Sequence, residues 1–240
     1  MYAPPVSPTT FSRYVLRTTD LDAARVFYDA VLGRPGDGLF QLHEAAVARG
    51  ARPHWLGLIG VHELGGVEAS VSRFVERGAT RLGPAPGVVA DFAVLRDPGG
   101  AVIGVTDSTA SSSAGVAWHQ LNTHDRARAT ENYTSLFGWS QTGELDLGEL
   151  GRHQRFAFGA ETASVGTISG VEGRPEVHPH WLFFFTVPSL DAAVDQVKRH
   201  GGLVLGPLAL PNGARVAACD DAQGAAFGII EAADASKLAS

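Results

Sequence analysis

The sequence holds one cysteine, Cys219, and one methionine in 240 residues. A lone thiol excludes an intrachain disulfide and any metal cage built on cysteines. A chain without disulfides suits a reducing cytoplasm, the compartment expected here. Long hydrophobic runs are missing too. The richest, Trp55–Val61 and Trp181–Val187, fall far short of the roughly 20 residues of a membrane-spanning helix, so no membrane is expected and both runs read as buried strands. Basic residues are in deficit: 19 Lys and Arg stand against 25 Asp and Glu, a formal net charge of −6. That balance offers no general attraction to nucleic acid or to an anionic surface, so no nucleic-acid partner is expected. Neither a Gly-x-Ser-x-Gly elbow nor a P-loop is present. The opening MYAPPVSPTTF lacks the basic and apolar regions of a secretory signal and reads as an arm.

What the chain does have is a repeat. Asp20, Tyr28 and Gly33 recur 105 positions later as Asp125, Tyr133 and Gly138. PHWLGLIGVHEL at 53–64 answers PHWLFFFTVPSL at 179–190, Leu82-Gly83-Pro84 answers Leu205-Gly206-Pro207, and DPGGAVIGV at 97–105 answers DAQGAAFGI at 221–229. The order is the same in both copies, which marks duplication. The small polar stretch DSTASSSAG at 107–115 reads as a connector. We therefore place two domains at 1–112 and 113–240.

Within each copy an apolar strand, a short amphipathic helix and further short strands follow one another twice. Ala24, Phe27, Tyr28 and Val31 keep helical spacing, with Asp20 as N-cap and Gly33 as terminator; Asp125 and Gly138 take those roles in the second copy. Two more helices are expected near 67–77, closed by Gly78, and over 190–200, capped by Ser189 and ended by Gly201. Strands are expected at Tyr14–Thr18, Phe92–Leu95, Trp118–Asn122, Arg155–Phe158 and Val216–Cys219. One asymmetry stands out: Gly33 to His54 takes 21 residues, Gly138 to His180 takes 42. The first module is expected to lack one or two strands, and its cleft to be the poorer one.

This order of signals resembles the vicinal oxygen chelate superfamily, which groups glyoxalase I, bleomycin-resistance proteins and extradiol dioxygenases. The carriers are the strand followed by Asp-x-x-x-Ala-x-x-Phe/Asn-Tyr-x-x-x-Leu/Phe-Gly, the helix starts at 61–64 and 187–190, and the final Asp-x-x-Gly-Ala-x-x-Gly strands. WHQLNTHD, LFGW and DAQGAAFGI look like tandem glyoxalase-like proteins. The resemblance implies an α+β fold of two tandem glyoxalase-like domains, each an open barrel of paired βαβββ modules around a cleft, forming an internal pseudo-dimer. A further homodimer is left open.

Metal-binding relatives hold a divalent cation through side chains seven residues before the helix-capping position and seven after the Asp of the last motif. In this chain those positions are Arg13, Trp118, Leu56 and Leu182, counted from Asp20, Asp125, Glu63 and Ser189, and then Gly104 and Gly228. None is a metal ligand. The runs at 45–50 and 163–170, read as the remaining ligand strand, hold no carboxylate, although Glu44 and Glu161 precede them. His54 and His180 lie two residues before a ligand position, on the same strand face. They read either as metal ligands under a register shift or as strand-end histidines bonded to a neighbour.

By strand parity the second cleft is lined by Trp118, Gln120, Asn122, His180, Leu182, Phe184 and Thr186 over Gly228, with His153 and Arg155 at its edge. An aromatic wall with sparse amides is the usual lining of a small-molecule site, and glycine in place of a family glutamate is expected to add room. In the first domain Arg17 matches a carboxylate-holding arginine of relatives; the alternative is a local ion pair with Asp20 or Glu44. Three readings follow: a metal-independent binder of a small, flat or aromatic molecule, with no cofactor; a metal-dependent lyase, isomerase or dioxygenase; and a scaffold whose barrels are filled.

Overall fold

The computed structural model describes residues 9–33, 38–84, 90–111, 114–148, 151–174 and 177–238. Residues 1–8 of the N-terminal arm and the proposed domain boundary at 112/113 lie outside them. The fold is α+β, with strands in two mixed sheets of six and eight. Among the described residues no helix is long and apolar enough to cross a membrane.

The chain forms two compact units. Unit 1 comprises Met1–Arg13, Gly57–Ser111 and Gln120–Trp181; unit 2 comprises Tyr14–Leu56, Ser112–His119 and Leu182–Ser240. Unit 1 thus holds the second module of the first copy and the first module of the second copy, and unit 2 holds the other two modules.

In unit 1, α3 (Gly66–Glu76) and α4 (Arg126–Phe137) are the helices. Asp125 caps α4 by accepting a hydrogen bond from the Arg128 amide, and Gly138 ends it at φ 68°, a left-handed position that suits glycine. The expected cap of α3, Glu63, lies instead in the 3₁₀ turn His62–Leu64, and Gly65 is the N-cap. Gly65 and Gly66 both have φ 87°, so the chain reverses there before the helix can start. Counting seven back from Gly65 gives Leu58, again no metal ligand. The strands β3 (His54–Gly60), β4 (Thr80–Gly83), β5 (Phe92–Arg96) and β6 (Val102–Thr106) run in the order β3-β6-β5-β4. The strands β7 (Val116–Thr123), β8 (Ser140–Asp146), β9 (Arg152–Ala157) and β10 (Gly166–Gly170) run in the order β7-β10-β9-β8. Trp139 stacks on Phe156 with ring centroids 4.8 Å apart and on Tyr133 at 5.1 Å, filling the space beneath α4.

In unit 2, α1 (Leu21–Leu32) runs from the Asp20 cap to Gly33, and α5 (Leu190–Arg199) from the Ser189 cap to the turn at Gly201. The strands β11 (His180–Val187), β12 (Leu203–Ala209), β13 (Arg215–Asp220) and β14 (Ala226–Glu231) are ordered β12-β13-β14-β11. Among its described residues, the short stretch before His54 holds the three-residue β2 (Leu39–Gln41), paired with β1 (Phe11–Thr18), and the helix α2 (Glu44–Ala48). The run at 45–50, expected as a strand, is therefore largely helical. It is rich in alanine and lacks alternation, and the His43 ring caps it by accepting from the Ala45 amide at 3.2 Å. A last helix, α6 (Ala232–Leu238), was not anticipated.

The repeat landmarks turn out to be one buried device used twice. In unit 2 the Tyr28 hydroxyl donates to Asp221 at 3.1 Å and accepts from the Trp55 indole at 2.9 Å. In unit 1 Tyr133 donates to Asp97 at 3.1 Å and accepts from Trp181 at 3.3 Å. Burial raises both phenols well above their ordinary pKa, so each stays a donor.

Candidate functional site

Three of the residues read from strand parity meet in unit 1. The Gln120 amide donates to Asn122 Oδ1 at 3.1 Å, and Asn122 Nδ2 lies 3.4 Å from His180 Nε2. Ser169 on β10 donates to the same Asn122 oxygen at 3.2 Å, and Arg174 donates to Ser169 Oγ at 2.9 Å and to the Gly170 carbonyl. Asn122 and Ser169 are buried, so their polar atoms are satisfied by one another and not by solvent. Neither Ser169 nor Arg174 was singled out by sequence.

The direction of each bond can be assigned. His180 Nδ1 is 2.7 Å from the His178 carbonyl, which can only accept, so Nδ1 carries the proton and Nε2 is the acceptor for Asn122. Burial pushes the His180 pKa down to about 4, with the bond to His178 opposing and the charge of His178 adding. His54 repeats this arrangement in unit 2: Nδ1 is 2.7 Å from the Arg52 carbonyl, and burial, with Arg17 nearby, lowers its pKa. Because the folded state favours neutral His180, protonation favours unfolding. Its contribution is complete above the unfolded value of about 6.5 and is lost as pH falls toward the folded value. A proton NMR titration is expected to give a His180 midpoint near 4; a midpoint above about 6 contradicts this environment.

Beside this network unit 1 has an open cleft of about 610 Å³. Arg126 at the start of α4, Arg152 and His153 on β9, and Gly170, Glu172 and Arg174 at the end of β10 line it. His153, expected at the cleft edge, is buried at its base, and Arg155 pairs with Thr167 across β9 and β10.

The other expected lining residues are packed. Trp118, Leu182 and Phe184 are 4–6% exposed and fill the interior of unit 2 with Ala214, Val216, Ile230 and Leu238. The glycine at 228 adds no room: a Cβ there would sit 2.3 Å from the Phe184 ring, which already occupies the space. Thr186 donates to the Gly115 carbonyl at 3.1 Å, and the Arg17 guanidinium lies 5.0 Å from the centre of the Phe40 ring, with burial lowering its pKa. Cys219 is buried and its thiol is pushed up to about 12, which makes it a packing residue.

At the positions where the resemblance places the metal's ligands, the described residues offer no fitting donors. The last-strand positions are Gly104 and Gly228, where an added Cβ would stand 2.1 Å from Leu58 and 2.3 Å from Phe184 respectively. Among the described residues no three of His, Cys, Asp and Glu are grouped to hold a metal.

This architecture, with its duplicated modules, is similar to that of tandem glyoxalase-type proteins. Residues 115–229 match the model of the Glyoxalase/Bleomycin resistance protein/Dioxygenase superfamily. It is 27% identical to CFP32 of Mycobacterium tuberculosis, named a candidate glyoxylase, over 91% of this chain and 93% of that one. It is 30% identical to the anthracycline biosynthesis protein DauV of Streptomyces sp. strain C5 over 47% of this chain and 45% of the relative. Among solved structures, homoprotocatechuate 2,3-dioxygenase from Brevibacterium fuscum superimposes with a TM-score of 0.60 at 15% identity, covering 94% of this chain and 81% of that one. At that identity the likeness concerns the fold alone.

Proposed function

We propose that this protein binds a small molecule without a resident metal, and that its second copy, 113–240, supplies the recognition end. The observation that carries the reading is the preorganised set of Gln120, Asn122, Ser169, Arg174 and neutral His180 beside an open cleft. Amides and an uncharged imidazole orient a ligand through hydrogen bonds, whereas a tight cation site needs several anionic or imidazole ligands at once. The side chains of Leu58 and Phe184 stand where the family's carboxylates would enter, which argues against the metal-dependent reading. A flat or aromatic ligand draws support from the Streptomyces relative's name, which refers to anthracycline biosynthesis. Sequestration or sensing in the cytoplasm fits such a binder.

Elemental analysis of the purified protein is expected to find no stoichiometric nickel, zinc, iron or manganese. Addition of EDTA is expected to leave the melting temperature unchanged, because a metal bound only to the folded state would stabilise it by mass action. One equivalent of metal together with a drop in Tm on chelation overturns the reading.

A further inference from the structure

The cleft in unit 1 is lined by three arginines, Arg126, Arg152 and Arg174. Their existing partners leave room for a better one. Arg152 stands 3.5 Å from Asp146 and 3.7 Å from Glu144, and Arg126 is 3.6 Å from Glu144. Charge-assisted hydrogen bonds run about 2.7–2.9 Å, so these are loose surface pairs that contribute little. Arg126 is also fixed by donating to the Arg152 carbonyl at 2.8 Å, and Arg174 by its bonds to Ser169 and Gly170. Two of the three arginines are therefore positioned by neutral acceptors, which hold a guanidinium in place without neutralising it. Of the lining carboxylates, Asp125 is engaged in capping α4. The Glu172 carboxylate lies against Gly170, where a Cβ would be 2.1 Å from its oxygen.

We infer that this cleft takes the oxyanion of a small ligand, a carboxylate or a phosphate, gripped by Arg152 and Arg174 with Arg126 behind, in the space the Glu172 carboxylate now borders. The guanidinium fork matches either oxyanion. The inference rests on the binder reading and adds the charged group that the ligand carries. Glu172 acts as the internal competitor: its charge repels the incoming anion.

The test is isothermal titration calorimetry at fixed ionic strength with two probes, inorganic phosphate and benzoate. Saturable binding of at least one is expected; phosphate alone assigns a phosphate group, and benzoate alone an aromatic carboxylate. Arg152→Gln, at an exposed side chain, and Arg174→Lys are each expected to weaken binding at least tenfold, while Glu172→Gln is expected to tighten it severalfold. Arg215→Gln, in unit 2, serves as the control and is expected to change nothing. Absence of binding by both probes up to about 10 mM, or an unchanged affinity in Arg152→Gln, overturns the inference. The two proposals fail separately. A stoichiometric metal with chelation sensitivity strikes the metal-free reading, whereas loss of the anion effect leaves that reading standing.

Discussion

Trp118→Ala is expected to destabilise the protein by about 3–5 kcal/mol, the range for removing a large buried aromatic side chain. The indole lies in a closed cluster with Leu182, Phe184, Val216, Ile230 and Leu238, all at most 6% exposed. Nothing in that cluster is positioned to collapse into the space cheaply. Ala214 is already small, and Phe184 is held against the backbone at Gly228. The cavity term therefore adds to the lost transfer energy instead of being relaxed away. Urea unfolding followed by circular dichroism measures the loss. A destabilisation below about 1 kcal/mol would mean that Trp118 faces open space, as a ligand-contacting wall would, and the aromatic-cleft reading of the second copy would return.

The same cluster shows where sequence reasoning stopped. Period-two parity placed Trp118, Gln120 and Asn122 on one strand face, and the hydrogen bonds of Gln120 and Asn122 to each other and to His180 agree with it. Parity does not say whether the space before a face is empty. For Trp118 and Phe184 the answer depends on Leu238, in a short helix about 50 to 120 residues further along the chain, and on the volume left by Gly228. The helix signals were legible because they are local: Asp20, Asp125 and Ser189 cap through their own side chains, and Gly33, Gly138 and Gly201 take positive φ. Ser169 and Arg174 were not legible. The first is set by how β10 registers on β7, and the second sits in a loop without periodicity.

The repeat landmarks were visible as matching letters, but their physical meaning appears only when the units are seen. Tyr28 and Asp221 are 193 residues apart, and Tyr133 and Asp97 are 36 apart, yet each pair makes the same bond. Duplication preserved the contact while the chain distance between its partners changed, so both copies share the contact as well as the matching residues.

Asp221→Ala is expected to cost about 3–5 kcal/mol, because it orphans three donors at once and each buried unsatisfied donor costs about 1–3 kcal/mol. Asp221 accepts from the Tyr28 hydroxyl at 3.1 Å, from the Gln223 amide at 2.8 Å and from the Ala225 amide at 2.9 Å. The last two make an Asx-type turn at Asp221. Asp221→Asn keeps one oxygen for the turn but presents an amide to Tyr28, so its loss should be smaller, about 1–2 kcal/mol. Tyr28→Phe removes the middle of the clasp and leaves the Trp55 indole without its acceptor, so the Tyr28 and Asp221 changes should be strongly non-additive in a double-mutant cycle. In unit 1, Asp97→Ala likewise orphans the Tyr133 hydroxyl and the Ala101 amide, along with the Gly99 and Gly100 amides that also bond the carboxylate; burial raises the Asp97 pKa and these bonds oppose it. Asp97→Ala is therefore expected to cost about as much as Asp221→Ala, about 3–5 kcal/mol, because it too removes the acceptor of a tyrosine hydroxyl and of several turn amides. A loss below about 1 kcal/mol in either variant, read from denaturant unfolding, would show that the orphaned donors do not set the cost at these sites.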